Sequence, residues 1–232
     1  MKLGRCFLLA ALLIGAVAAC RAPSGTPDQP LFADLPSDST GVTFTNEIVE
    51  GPEQNVLAYE YLYNGGGVAV GDVNGDGRPD LYFTANMGAN KLYLNEGDFQ
   101  FEDVTEEAGV ADQDGWTTGV TMADVNGDGR LDIYVCRSGW KGAEARRNKL
   151  YVNTGPADDG TPRFVERADR YGLADASNST HATFFDYDRD GDLDLYLLNH
   201  QTKHFIGRFD LDMARREDDP RAGDKLFRND DG

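Results

Sequence analysis

Bases are scarce in this chain: 22 Lys and Arg stand against 40 Asp and Glu, for a formal charge of −18. Such a chain repels phosphate backbones, and no basic patch interleaved with aromatics offsets this, so no nucleic-acid partner is expected. Cysteine is rarer still, at Cys6, Cys20 and Cys136 alone. Only Cys136 lies beyond the first twenty residues, so a processed chain can form no disulfide within itself. Its setting, "DIYVCRSG", predicts a buried strand thiol, because nothing nearby would activate a nucleophile. The histidines number three, His181, His200 and His204, and no Ser/His/Asp or paired-acid signature accompanies them. No segment after residue 20 is apolar for long enough to span a bilayer. Hydrophobic residues nevertheless make up 40% of the chain and aromatics 10%, which argues for a packed fold over acidic disorder.

The first twenty residues, "MKLGRCFLLAALLIGAVAAC", have the parts of a secretory signal: a basic head at Lys2 and Arg5, an apolar run and a small-residue exit. "VAAC" at 17–20 reads as a bacterial lipobox, with Cys20 the lipidated first residue of the mature protein; a plain signal peptide is the alternative. The Pro-rich polar stretch that follows suits a flexible tether over 21–40. Several acyl chains on one cysteine would hold the protein at a membrane, on the periplasmic face or the cell surface.

Self-comparison organises the remainder. "DVNGDGRPD", "DVNGDGRLD" and "DYDRDGDLD" begin at Asp72, Asp124 and Asp186, spaced by 52 and 62 residues. Each is followed by a second landmark, "NKLYLN" (90–95), "NKLYVN" (148–153) or "DKLFRN" (224–229). The intervening stretch lengthens from 11 residues (Asp80 to Lys91) to 17 (Asp132 to Lys149) to 31 (Asp194 to Lys225). Insertions at one place in a repeat point to loops on one face of an array. In the first unit "GGVAV" (66–70), "DLYFT" (80–84), "KLYLN" (91–95) and "FQFEDV" (99–104) read as four short strands bounded by Gly, Asn and Asp. Several are apolar on consecutive residues, as strands covered on both faces are. The expected fold is therefore all-β, with four-stranded antiparallel units forming the blades of a β-propeller, over 41–232. The units run about 65–117, 118–178 and 179–232. Only three are present and the third stops before its outer strand, so an incomplete ring from a longer protein is expected. "GVTFTN" (41–46) is a candidate outer strand that would close such a ring, and helical pieces are expected inside the insertions at 141–148 and 206–217.

The acidic stretches themselves suit a hard cation. Places 1, 3, 5 and 9 are Asp72, Asn74, Asp76 and Asp80 in the first and Asp124, Asn126, Asp128 and Asp132 in the second. In the third they are Asp186, Asp188, Asp190 and Asp194. Arg78, Arg130 and Asp192 stand at place 7, where a backbone carbonyl would serve. Gly77, Gly129 and Gly191 at place 6 supply the sharp bend. All-oxygen donors suit Ca²⁺ and fit zinc or copper poorly. Carboxylates ~4 Å apart repel by about 4 kcal/mol at an effective dielectric of ~20, which a divalent ion reverses. A merely polar hairpin turn is the simpler explanation of one copy, and three copies in register speak against it. Place 12 holds Phe83, Val135 and Leu197, so this is no EF-hand, and the aspartate at place 9 takes the bidentate role.

These hairpins resemble the FG-GAP/VCBS repeats of integrin-alpha-like β-propellers. With "YNGGGVAVGDVNGDGRPDLYF", "NKLYLNEG" and "FEDVTEEAGV", the chain is similar to bacterial relatives of cartilage acidic protein of the ASPIC/UnbV type. The resemblance implies a secreted or lipid-anchored calcium propeller, with about three structural ions and an unidentified protein or glycan ligand. The expected function is an extracytoplasmic binding or adhesion module that performs no catalysis. The alternatives are the substrate-binding part of a propeller enzyme and a component of a surface nutrient-uptake assembly. His181 takes the place of Gly67 and Gly119, which suits packing at a strand, and "HQTKH" (200–204) carries an i, i+4 pair in the long insertion.

Overall fold

The computed structural model describes residues 30–201 and 221–230. The leader with Cys20, His204 and the second expected helix at 206–217 lie outside the described residues. Residues 30–35, the described part of an N-terminal unit, hold no helix or strand. The unit from Pro36 onward carries three antiparallel meanders. The first comprises β1 (Val68–Gly71), β2 (Asp80–Phe83), β3 (Lys91–Gly97) and β4 (Gln100–Asp103). The second comprises β5 (Trp116–Ala123), β6 (Asp132–Ser138), β7 (Lys149–Pro156) and β8 (Pro162–Glu166). The third comprises β9 (Ser179–Phe185), β10 (Asp194–Asn199) and β11 (Lys225–Phe227). Each pairs its strands in sequence order, so the chain is all-β and forms consecutive blades of an incomplete propeller.

β6 shows why its strand reads apolar at every position. All seven of its residues are buried, and alternate side chains enter different cores. Ile133 and Val135 pack with Ala69, Tyr82, Leu92 and Leu94 of the first sheet. Tyr134 and Cys136 face the other way, onto Ala182, Leu195 and Leu197 of the third. A one-residue slip would exchange these two sets. Each such side chain stabilises the stack by about 1.5–3 kcal/mol. Cys136 is wholly buried, as its setting predicts, and burial pushes its thiol pKa up, away from reactivity.

The second landmark has a structural cause that its pattern does not reveal. Asn90 is buried; its amide donates to the Tyr82 hydroxyl (3.0 Å) and its carbonyl accepts the N–H of Ala85 (2.9 Å). Asn148 repeats this with Tyr134 (3.0 Å) and the N–H of Arg137 (2.7 Å), whereas Asp224 accepts from both the Tyr196 hydroxyl (3.1 Å) and the N–H of Asn199 (3.0 Å). One amide or carboxylate thus pins the far end of the strand that leaves the hairpin. Asn148→Ala leaves the Arg137 N–H without its partner and takes one donor from the Ser179 hydroxyl, which still donates to Asn199 (2.9 Å). We expect a loss of about 1–3 kcal/mol, read from urea melts, the cost of one orphaned buried group.

One expectation, the extent of the first inserted helix, needs correction, and residues 41–46 pack where the repeat pattern does not place them. Residues 41–46 enter no ladder; they cross the first sheet from the backbone of Phe101, which Gly41 abuts, to Asn86, which Asn46 hydrogen-bonds. Phe44 stacks on Phe83 with centroids 5.0 Å apart, so the segment buries a ring on the sheet instead of extending its edge. Within 141–148 the helix is one turn, α1 (Ala143–Arg146), since Asn148 must already plug the strand end.

Candidate metal hairpins

Each hairpin joins the first two strands of its sheet and closes on the aspartate at place 9. Asp80 is fully buried, and its two oxygens accept the N–H groups of Val73 and Asn95, both at 2.9 Å. Asp132 does the same with Val125 (3.1 Å) and Asn153 (2.8 Å), and Asp194 with Tyr187 (2.8 Å) and Asn229 (2.9 Å). One carboxylate thereby ties the hairpin to the third strand of its sheet. Burial pushes the Asp80 carboxyl up to about 6, with the charges of Asp76 and Asp72 adding to it against the two N–H donors. Asp132 is raised by the same causes.

At place 1, Asp72 accepts the N–H groups of Gly75 (2.7 Å), Asp76 (3.1 Å) and Gly77 (2.8 Å). Asp124 accepts those of Asp128 (3.0 Å) and Gly129 (2.8 Å), and Asp186 those of Arg189 (2.6 Å) and Gly191 (3.3 Å). Gly77, Gly129 and Gly191 take φ of +85°, +84° and +103°, the left-handed bend expected at place 6. Places 3 and 5 lie side by side: the Asn74 amide donates to Asp76 (2.9 Å) and the Asn126 amide to Asp128 (3.1 Å).

Place 7 differs between the hairpins. The Arg78 guanidinium pairs with Asp76 at 2.6 Å and donates to the Asn95 carbonyl at 2.5 Å. Arg130 pairs with Asp128 and donates to the Asn153 carbonyl (3.1 Å). Against desolvation, the Arg78 N–H, the Asn74 amide and the Arg78 charge hold the Asp76 carboxyl below its usual value. The third hairpin has Asp192 there, whose N–H is bound by Asp190 (2.9 Å). In that hairpin the carboxylates of Asp186, Asp188 and Asp194 bring oxygens within 4.8 Å of one another. Asp190 and Asp192 are not part of this group. Desolvation, with Asp190 and Asp194 beside it, raises the Asp188 carboxyl. The donors are all hard oxygens and include a buried carboxylate, so the residues fit Ca²⁺. The ion would supply charge neutralisation between two strands.

The histidine sites part company. His181 is exposed on β9, with its backbone against Gly119. His200 donates from Nδ1 to the Gln201 carbonyl (2.7 Å), which leaves Nε2 to accept. Ser138 Oγ lies 2.6 Å and the Tyr59 hydroxyl 3.0 Å from that nitrogen. Ser138 is 1% exposed, so the bond secures the covering segment around Tyr59 and offers no accessible nucleophile. Burial lowers the His200 pKa, against the pull of the Gln201 carbonyl, and pushes Tyr59 up to about 12. Spaced far apart and without local pattern, Ser138, His200 and Tyr59 gave no sequence signal, and only their place six residues past Asp132 and Asp194 relates Ser138 to His200.

The sequence model of the FG-GAP-like repeat family matches residues 72–135, which contain the first two hairpins. Cartilage acidic protein 1 of Xenopus tropicalis is 32% identical over 139 residues, 59% of this chain. The Homo sapiens protein of that name is 32% identical over 138 residues, also 59% of the chain, and that of Mus musculus 29% over 136, or 58%. Each alignment spans about a fifth, 20%, of the relative's length. Among the described residues no helix is long and apolar enough to cross a membrane. With its hairpins closed on a buried aspartate and its meanders stacked face to face, the chain is similar to the FG-GAP-like repeat family over residues 72–135 and to cartilage acidic protein 1 over about three fifths of its length, 59%.

Proposed function

We propose that this chain is a calcium-stabilised binding or adhesion module of the extracytoplasmic space, tethered to a bacterial membrane through a lipidated Cys20 and without catalysis of its own. One observation carries the calcium reading: the third hairpin gathers three carboxylates, one of them buried, within 4.8 Å. Asp72, Asn74, Asp76 and Asp80 would hold a first ion with the Arg78 carbonyl, and Asp124, Asn126, Asp128 and Asp132 a second with that of Arg130. Asp186, Asp188 and Asp194 would hold the third. The ions would sit at strand connections, enclosed by chain oxygens, where they stiffen the sheet and leave little open for substrate activation. The FG-GAP-like repeat supports a binding module, and a glycan or protein is the ligand class in view.

Calcium uptake tests this reading. Isothermal titration of the chelator-treated chain should show about three equivalents of Ca²⁺, falling by one in Asp194→Asn. Asp194→Asn keeps its carbonyl for one N–H but loses the charge. No heat and no bound calcium at millimolar concentration would remove the ions from the account.

A further inference from the structure

The strands that leave the acidic hairpins all end at one place. Six residues past Asp80, Asp132 and Asp194 stand Asn86, Ser138 and His200, just beyond the ends of β2, β6 and β10 or at the last residue of the strand. The path from hairpin to this end is about 20 Å at ~3.3 Å per residue, so the face formed here lies opposite the acidic loops. Both tryptophans of the chain are on it: Trp116 and Trp140 have centroids 5.0 Å apart. Tyr59 lies 5.4 Å from Trp140, and the Tyr61 ring lies 3.8 Å from that of His200.

Two hollows share the Trp140 wall. One, of about 180 Å³, is bounded by Tyr59, Tyr61, Arg146, Asn178 and His200. The other, of about 310 Å³, is bounded by Gln54, Asn86, Gln113, Trp116 and Lys141. Each joins an aromatic wall to amides and cations, Lys141 in the larger hollow and Arg146 with Arg221 in the smaller, whose wall also holds Glu60. Arg146 donates to the carbonyls of Ala176 (3.1 Å) and Lys141, and the Lys141 ammonium to that of Asp114 (3.3 Å). Neither forms an ion pair among the described residues, unlike Arg78, Lys91 and Arg130, although Arg167, Arg170 and Arg189 form none either. Neutral carbonyls, not carboxylates, accept the hydrogen bonds that hold each group in place.

We propose that this face binds an acidic oligosaccharide, with two consecutive uronate rings seated in the two hollows. A pyranose ring has an apolar face for Trp140 and Tyr61 and hydroxyls for Asn178, Gln54 and Gln113. A carboxylate on each ring meets Arg146 in one hollow and Lys141 in the other. Two adjacent cavities, each smaller than or at the low end of the ~300–1,000 Å³ usual for larger ligands, suit successive small rings better than one bulky molecule. The proposal rests on the binding-module reading and names its ligand class.

Tryptophan emission reads the site directly, since no other tryptophan exists in the chain. In millimolar calcium, tetragalacturonate should change the emission saturably, and neutral cellotetraose should bind at least about tenfold more weakly. Arg146→Gln and Lys141→Gln should each weaken tetragalacturonate by about tenfold, Arg146→Lys should retain most of the affinity, and Lys91→Gln, a charge lost elsewhere, should leave it unchanged. Circular dichroism confirms that each variant is folded. Equal affinity for cellotetraose overturns the acidic class, as does full affinity in the two glutamine variants. A flat titration by a chain that takes up calcium overturns the ligand and leaves the calcium module standing. Absent calcium uptake with an intact tetragalacturonate response would do the reverse.

Discussion

Excess EGTA should lower the melting temperature of this chain by about 15 °C or more, and added Ca²⁺ should restore it. An ion that binds only the folded state stabilises by about 2.7 kcal/mol at a hundred times its dissociation constant, so three occupied hairpins would together contribute about 8 kcal/mol. In a domain of this size each kcal/mol moves the midpoint by about 2–4 °C. The hairpins keep part of their shape without an ion, because Asp72, Asp124 and Asp186 still accept the N–H groups of their own loops. The loss instead comes from carboxylates at places 1, 5 and 9, and also at place 3 of the third hairpin, that repel once the cation leaves. Arg78 and Arg130 offset some of this in the first two hairpins by pairing with Asp76 and Asp128. The third has no such cation at place 7, so Asp188→Asn should raise the melting temperature of the EGTA-treated chain by removing a repulsive charge, and lower that of the calcium-loaded chain. Mg²⁺ should restore less than Ca²⁺, because it demands a near-ideal octahedron and gives up its waters reluctantly, whereas Ca²⁺ accepts about six to eight oxygens in flexible geometry. A midpoint indifferent to both chelator and calcium would mean that the hairpins are held by their hydrogen bonds alone.

Much of this architecture is legible in the sequence, and the reason differs by element. β6 announces itself because both its faces are covered, which forces a run of apolar residues between the turn at Arg130 and the glycine at 139. The hairpins are legible because a left-handed bend restricts place 6 to glycine. Residues 41–46 alternate like a strand, but alternation records only that one side is buried, and Phe44 finds its burial on Phe83 rather than in a ladder. The sequence also shows the landmark Asn90 without its cause, since the hydroxyl it binds belongs to Tyr82, a neighbour only after the strands pair. Arg78 reads as a carbonyl donor in a loop template, whereas its guanidinium reaches across to β3, which no template of nine residues contains. The aromatic face is invisible for the same reason: Tyr59, Trp140 and His200 come from three distant stretches and meet through the stacking of sheets.

That stacking is also where a single methyl group should do most harm. Gly67 of the segment entering β1, Gly119 of β5 and His181 of β9 occupy the same repeat position and form a row. A Cβ on Gly67 would stand 3.0 Å from the Thr118 carbonyl oxygen and 3.1 Å from the Gly119 Cα. One on Gly119 would stand 2.9 Å from the His181 Cα, and the Thr180 carbonyl oxygen is closer still. The first strands of successive sheets therefore touch backbone to backbone, and glycine is required by space, not by its dihedral angles. The contact is consolidated by Thr118, whose hydroxyl lies 2.7 Å from the Ser179 carbonyl, and by Thr117, whose hydroxyl lies 2.6 Å from that of Ala85. Gly119→Ala must push β9 away from β5, loosening those bonds and the core that joins Tyr134 and Cys136 to Leu195 and Leu197. We expect a loss of about 3 kcal/mol or more, or a fall of about 6–12 °C in melting temperature. Gly88→Ala is the control: its Cβ would meet only the Ala85 Cβ, at 3.8 Å, and should change stability by less than about 0.5 kcal/mol. His181 already carries a side chain at the end of this row, so His181→Ala should also be nearly neutral. If Gly119→Ala melts with the parent chain, the sheets are not packed at backbone distance and the face-to-face stack is wrong.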